Sequence, residues 1–286
     1  MKLLRYGDVG SEKPAILDDN GIVRDLSGVV PDIGGIHLDD ATIERIRMTD
    51  LTRLPELPRG GRIGACVSTP TNFIAVGLNY ADHAEESGMA IPAEPILFSK
   101  APNCIVGPND DVVAPAGSAK LDWEIELALV IGKKAHNVQN SDAMSHVAGF
   151  CICNDISERA WQIEGTGQWL KGKSAPTFGP LGPWLVTRDE IGDVGNLPME
   201  LKVDGKTMQS GSTKTMIFDV PYLVSYISKF IELIPGDVIT TGTPPGVGMG
   251  KKPPVYLKSG ATMELAIVGL GTQRQIVRAA GNKGTG

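Results

Sequence analysis

Residues 120–135 read KLDWEIELALVIGKKA, and from Leu121 onward polar and apolar side chains alternate with the period of a β-strand. Successive side chains on a strand face opposite ways, so Asp122, Glu124 and Glu126 share one face and Leu121, Trp123, Ile125 and Leu127 the other. Neighbouring carboxylates on such a face lie about 6.6 Å apart, twice the rise per residue. At an effective dielectric of about 20, two full charges at that separation repel by about 2.5 kcal/mol. A solvated face ordinarily interleaves Lys or Thr among its acids, and this one does not. The row is therefore either a purely acidic solvated face or a set of carboxylates gathered around a cation.

The bulk composition narrows the field. The chain has 286 residues, of which 42% are hydrophobic, with a mean hydropathy of −0.02, so it can fill a sizeable core. A net charge of −6 argues against nucleic acid or an anionic membrane as the main partner, while leaving room for a small anion at a locally positive site. No signal-peptide pattern opens the N-terminal MKLLRYGDVG, and no apolar run is long enough to span a bilayer, so a cytoplasmic protein is expected. Cys66, Cys104, Cys151 and Cys153 lack zinc-site spacing and read as buried free thiols of a reducing compartment.

Residues 1 to about 50 give short strands and turns followed by the helical stretch LDDATIERIRM. A Pro- and Gly-rich segment then leads into a long region of short β-like runs. This predicts a small N-terminal domain with its linker over residues 1–68 and a β-rich domain over 69–286. Within that β-rich region few segments beyond ADHAEESG, SDAMSHVAG and VPYLVSYISKFIEL have helical spacing, and the tail GNKGTG is expected to fray.

Four constellations could carry chemistry. Two carboxylates two residues apart can lean together on magnesium or manganese, which prefer oxygen ligands, and Asp155 in CICNDISERAWQ offers a third. In GLNYADHAEE, His83 and Glu86 are three apart and share a helix face; a carboxylate so placed orients an imidazole as a general base, although the spacing also suits a plain surface pair. Lys171 and Lys173 precede a proline-rich turn from which a lysine could meet a substrate carboxylate as a point charge. In GDVITTGTPPGVGMGKKPP the glycines match neither nucleotide-binding fingerprint. Thr240, Thr241 and Thr243 with their backbone amides could either hold an anion or form an ordinary turn.

Seven segments in order resemble the fumarylacetoacetate hydrolase family: GLNYADHAEE, DWEIELALVIG, NDISERAWQ, GKSAPTFGPLGP, QSGSTKTMIFD, PGDVITTGTPPGVG and LKSGATMELAIVGLGTQRQ. The resemblance covers about residues 70 to 280. It implies a β-rich α+β fold, a mixed β-sandwich roll, usually as a homodimer, with magnesium or manganese on Glu124, Glu126 and Asp155. It implies His83 and Glu86 as a water-activating dyad on a lid and Arg159 and Lys173 in the substrate pocket. Thr243 falls on a substrate-contacting turn, and Asp122 is not one of the usual ligands. Two departures stand out: Pro176 and Ala160 occupy positions where the family often carries acids.

The form of these motifs looks most like the branch of 2,4-diketo-3-deoxy sugar acid hydrolases, which includes chains named ureidoglycolate lyase. The expected activity is hydrolysis of a small anionic 2,4-diketo acid to pyruvate and a carboxylic acid, with Lys173 stabilising oxyanion charge. Oxaloacetate decarboxylation and ureidoglycolate lysis are the alternatives. Because the lid segment is mostly small and polar, and Gln209, Ser210, Ser212 and Thr213 could bond hydroxyls, a short hydroxylated acyl group is expected, as in 2,4-diketo-3-deoxy-L-rhamnonate or -fuconate.

Overall fold

The computed structural model describes residues 1–281, so most of the tail expected to fray lies outside the described residues. In chain order, β1 (Lys2–Tyr6), β2 (Lys13–Leu17) and β3 (Val23–Asp25) precede α1 (Asp40–Arg47). β4 (Phe73–Gly77) runs into α2 (Ala81–Ser87), and β5 (Ile96–Lys100) returns beside it. The short β6 (Ile105–Val106), β7 (Val112–Ala114) and β8 (Leu121–Asp122) lead to β9 (Ile125–Ile131) and β10 (Val147–Asn154). Then come β11 (Ser157–Glu158), α3 (Arg159–Ile163), α4 (Leu170–Lys173), β12 (Gly179–Thr187), β13 (Pro198–Val203) and β14 (Lys206–Ser212). α5 (Val220–Ile227), β15 (Val238–Thr240), β16 (Thr262–Ile267) and β17 (Gly271–Ala279) complete the described chain.

A mixed sheet of ten strands runs β3-β2-β1-β12-β10-β9-β15-β4-β5, with β6 joined to β12. A second sheet, β14-β13-β16-β17-β7, packs on it through β16 and β17 against β10 and through β17 against β12. This is the expected strand-rich mixed sandwich. β9 and β10 lie at its centre, and all fifteen of their residues are buried. That burial explains the near-continuous apolar run of β9, which is covered on both faces. Gln273 and Gln275, from the GLGTQRQ motif, are fully buried between the sheets: Gln273 donates to the Ile152 and Gly182 carbonyls, and Gln275 accepts from Asn154.

Two expectations change. The opening stretch is not one strand: it breaks at Trp123–Glu124, β8 pairing with β11 while β9 pairs with β10 and β15. Nor does residue 68 separate two bodies. Lys2 and Leu3 of β1 pair with Val186 and Leu185 of β12, so the N-terminal strands extend the central sheet. Leu3, Leu26, Ile33 and Ile46 belong to the same apolar cluster as Phe150, Leu185 and Val238. The local strand pattern of residues 1–25 was visible in the sequence, but their partner lies some 180 residues away. SDAMSHVAG gives only a 3-10 turn (Ala143–His146). All four cysteines are buried and free, and among the described residues no helix is long and apolar enough to cross a membrane.

Because one core crosses the 68/69 boundary, a fragment of residues 69–286 should lack the cooperative thermal transition and near-ultraviolet dichroism of the full chain. A fragment melting as sharply as the parent would restore two independent domains.

Candidate active site

Register brings three acids together. β9 begins directly after Glu124 and carries Glu126, β10 ends at Asn154, and the Asp155 amide donates to the Glu124 carbonyl at 2.9 Å, extending the ladder by one step. Ligand oxygens of Glu124, Glu126 and Asp155 all lie within 4.8 Å of one another, and all three side chains are buried. The solvated-face reading is thereby excluded: Asp122 and Asp155 are 0% exposed, Glu126 2% and Glu124 6%.

Buried carboxylates need partners, because desolvating an unpaired charge costs several kcal/mol. Lys173 Nζ donates to Glu124 at 2.5 Å and to Asp155 at 2.8 Å, and Lys100 Nζ donates to the other Asp155 oxygen at 2.6 Å. Arg159 bridges Asp122 at 2.8 Å and Glu124 at 2.6 Å. Burial would raise the Glu124 pKa, but Arg159 and Lys173 override it and bring it to about 2. Glu126 goes the other way, raised well above the carboxylate range by burial and then by the charges of Asp155 and Glu124. No lysine or arginine among the described residues is ion-paired with Glu126, and its hydrogen bond comes from the Gly242 amide at 2.9 Å. Three converging carboxylates, one without a paired cation, form an oxygen-only donor set that fits magnesium or manganese.

The cations are placed by two short helices. Glu158 accepts from the Ala160 amide and caps α3, fixing Arg159 at its first turn. α4 packs so closely on α3 that a Cβ at Gly172 would lie 2.5 Å from the Gln162 nitrogen. Only glycine permits that approach, and it delivers Lys173 to the acids. Lys173 therefore sits at the end of a short helix just before the proline-rich turn. It and Arg159 are bound to protein carboxylates and are not free point charges.

His83 and Glu86 do share a face of α2, which Gly88 ends in the left-handed conformation at φ 64°. His83 Nδ1 lies 3.3 Å from Glu86, whose carboxylate also accepts from the Gly246 amide at 2.9 Å. The TGTPPGVG turn thus serves anions, but they are the protein's own: Gly242 bonds Glu126 and Gly246 bonds Glu86. Its threonine hydroxyls turn inward, Thr241 to the Leu127 carbonyl and Thr243 to the Ile125 carbonyl.

One cavity of about 420 Å³ is lined by His83, Glu86, Glu124, Glu126, Asp155, Arg159, Lys173 and Thr243. Gln209 is the exception. It is fully buried on β14, accepts from the Ile125 amide at 3.0 Å and donates to Thr243 at 2.8 Å and the Pro244 carbonyl at 2.7 Å, so it supports the turn and does not line the cavity. Ser210, Ser212 and Thr213 also lie outside the lining, as do Pro176 and Ala160. Asp122 lies outside the lining and braces the site from behind: besides Arg159, it accepts from the Gly248 and Met249 amides at 2.7 and 3.0 Å.

The sequence reading missed Lys100, Phe98 and Trp169. Lys100 shares strand parity with Phe98 on β5, which was a usable signal. Trp169 lies in a polar segment with no periodicity, and its ring meets Phe98 edge-on at 5.2 Å only through the fold.

Known proteins agree with this architecture. A Burkholderia multivorans chain provisionally named a hydrolase is 56% identical over 281 residues, covering 98% of this chain and 100% of its own. The fumarylacetoacetate hydrolase of psychrophilic Exiguobacterium antarcticum superposes with a TM-score of 0.85 at 37% identity, over 98% of this chain and 100% of its own. The 5-carboxymethyl-2-hydroxymuconate delta-isomerase of Mycobacterium smegmatis gives a TM-score of 0.78 at 30% identity, over 99% and 100%. Residues 72–278 match the description fumarylacetoacetate (FAA) hydrolase C-terminal, and the chain belongs to that family.

Proposed function

We propose that the protein is a metal-dependent hydrolase of 2,4-diketo acids, cleaving between C3 and C4 to give pyruvate and a carboxylic acid. The observation that supports it best is a single cavity holding both the all-oxygen triad of Glu124, Glu126 and Asp155 and an imidazole oriented by a carboxylate. Magnesium or manganese on that triad would supply Lewis acidity toward the oxygens of the pyruvoyl end.

The side chains supply the rest. An ionised Glu86 can only accept, so Nδ1 of His83 carries the proton and Nε2 offers its lone pair. A water at Nε2 loses a proton as its oxygen bonds to C4. The C3–C4 bond then breaks, its electron pair passing toward C3 and the 2-oxo oxygen, and a proton delivered to C3 balances the one His83 took. Lys173 commits two N–H groups to Glu124 and Asp155, which leaves a third for negative charge developing on the substrate. Decarboxylation needs no activated water, so the Glu86-oriented imidazole favours hydrolysis over decarboxylation.

The sugar-acid acyl group loses its physical support, since the side chains proposed to bond its hydroxyls do not line the cavity. Met89, Phe98, Ile163 and Trp169 form much of the wall instead. We therefore assign an acyl portion that is apolar next to the scissile bond.

Three outcomes are expected. Chelation with EDTA should abolish pyruvate release, manganese or magnesium should restore it, and Glu126→Gln should lose metal affinity in calorimetry while staying folded; full turnover after chelation would refute the metal role. His83→Ala should slow C–C hydrolysis by about 100- to 10,000-fold with metal affinity near wild type, and slow any oxaloacetate decarboxylation less. Equal loss of both reactions would remove the water-activating role. Acetylpyruvate should exceed 2,4-diketo-3-deoxy-L-rhamnonate in kcat/KM, and the reverse order would reinstate the sugar acid.

A further inference from the structure

Lys100 does not line the cavity. It is fully buried at the end of β5, and its ammonium lies 5.7 Å from the centre of the Phe73 ring. Nζ donates to Asp155 at 2.6 Å and to the Lys173 carbonyl, so one group grips a triad acid and the end of α4. Asp155 is its one ion-pair partner among the described residues. A neutral amide could donate to both oxygens at a smaller desolvation cost, because burying a full charge is the more expensive step. The hydrogen bonds alone thus do not require an ammonium.

The buried charges of the site nearly balance. Asp122, Glu124 and Asp155 alternate with Arg159, Lys173 and Lys100, and these groups cancel pairwise. Glu126, ionised as a ligand, leaves the cluster with one net negative charge. A divalent ion on the triad would bring the cluster to one net positive charge, matched to a single carboxylate. Without Lys100 the same cluster would hold two net negative charges before the ion and none after it. Glu86 and Lys251 are partly exposed and Lys252 is exposed, so water screens them and the buried groups dominate the local field.

We infer that Lys100 is an electrostatic counterweight behind Asp155, which weakens binding of the metal ion and strengthens binding of the anionic keto acid to the loaded site. The inference rests on the proposed metal-dependent function for the identity of the two ligands. Lys100 acts through Asp155 and is a positioning residue, not a catalytic one. A charge placed there favours the second ligand at the expense of the first, because the ion and the keto acid carry opposite signs.

The test uses the full-length protein and two variants. Lys100→Met removes the charge and the donor at nearly the same side-chain length, and Lys100→Gln removes the charge but keeps an amide donor. Calorimetry should show manganese bound at least about tenfold more tightly by both variants than by the wild type. Pyruvate titrated into the manganese-loaded variants should bind at least about tenfold more weakly. A purely structural role cannot give these opposite signs, since a loosened site weakens both ligands. Weaker manganese binding by Lys100→Gln, or pyruvate binding equal to that of the wild type, would overturn the counterweight, and Lys100→Gln decides alone if Lys100→Met does not fold. Pyruvate release from acetylpyruvate by the manganese-loaded wild type reports separately on the hydrolysis. Opposed shifts without release would sink the hydrolase reading alone, and release with shifts of the same sign would sink the counterweight alone.

Discussion

The site depends on a buried chain of alternating charge: Asp122, Arg159, Glu124, Lys173, Asp155, Lys100. Each link joins different elements, from the end of β8 through α3, the start of β9 and α4 to the loop after β10 and the end of β5. Such a chain is unforgiving, since removing one member strands its neighbour as an uncompensated charge in a medium that solvates it poorly. Its ends are anchored too. Asp122 holds the 248–249 backbone, and Lys100, its own charge favoured by Asp155 against the penalty of burial, donates to the Lys173 carbonyl. The same contacts that neutralise the acids therefore set the shape of the cavity.

Glu126 stands apart from this chain. It is the triad member that Lys100, Lys173 and Arg159 do not contact directly, and burial, followed by its neighbours' negative charge, favours its protonated form. A divalent ion ligated by all three acids would reverse that preference, which makes the donor set both expensive to bury and well suited to a hard cation. What is costly for folding is thus also a donor set that could hold a metal.

Glycine-rich and threonine-rich motifs in this chain act mainly as supports. The TGTPPGVG turn uses backbone amides to hold Glu126 and Glu86, so one loop positions both a member of the triad and the orienting half of the dyad. Gln209 braces that loop from below through Thr243 and Pro244. The rest of the cavity wall includes Met89, Phe98, Ile163 and Trp169, with Lys251 and Lys252, which form no ion pair with a carboxylate among the described residues.

Much of the site was legible from residue order alone. Period-2 alternation located β9, His83 and Glu86 fell on one helical face, and the acid-x-acid spacing with Asp155 marked the triad. These features are local, set by the geometry of one strand or one helical turn. What the sequence left open was long-range. That β1 joins β12, that Lys100 reaches Asp155 across 55 residues, and that Gln209 turns inward while Trp169 turns toward the cavity all depend on which strands become neighbours. Side-chain type fixes what a residue can bond, but strand pairing across the sheet decides what it meets. The three converging acids were therefore readable in one dimension, whereas the cations that hold them, and the apolar wall opposite, existed only once the sheet had closed.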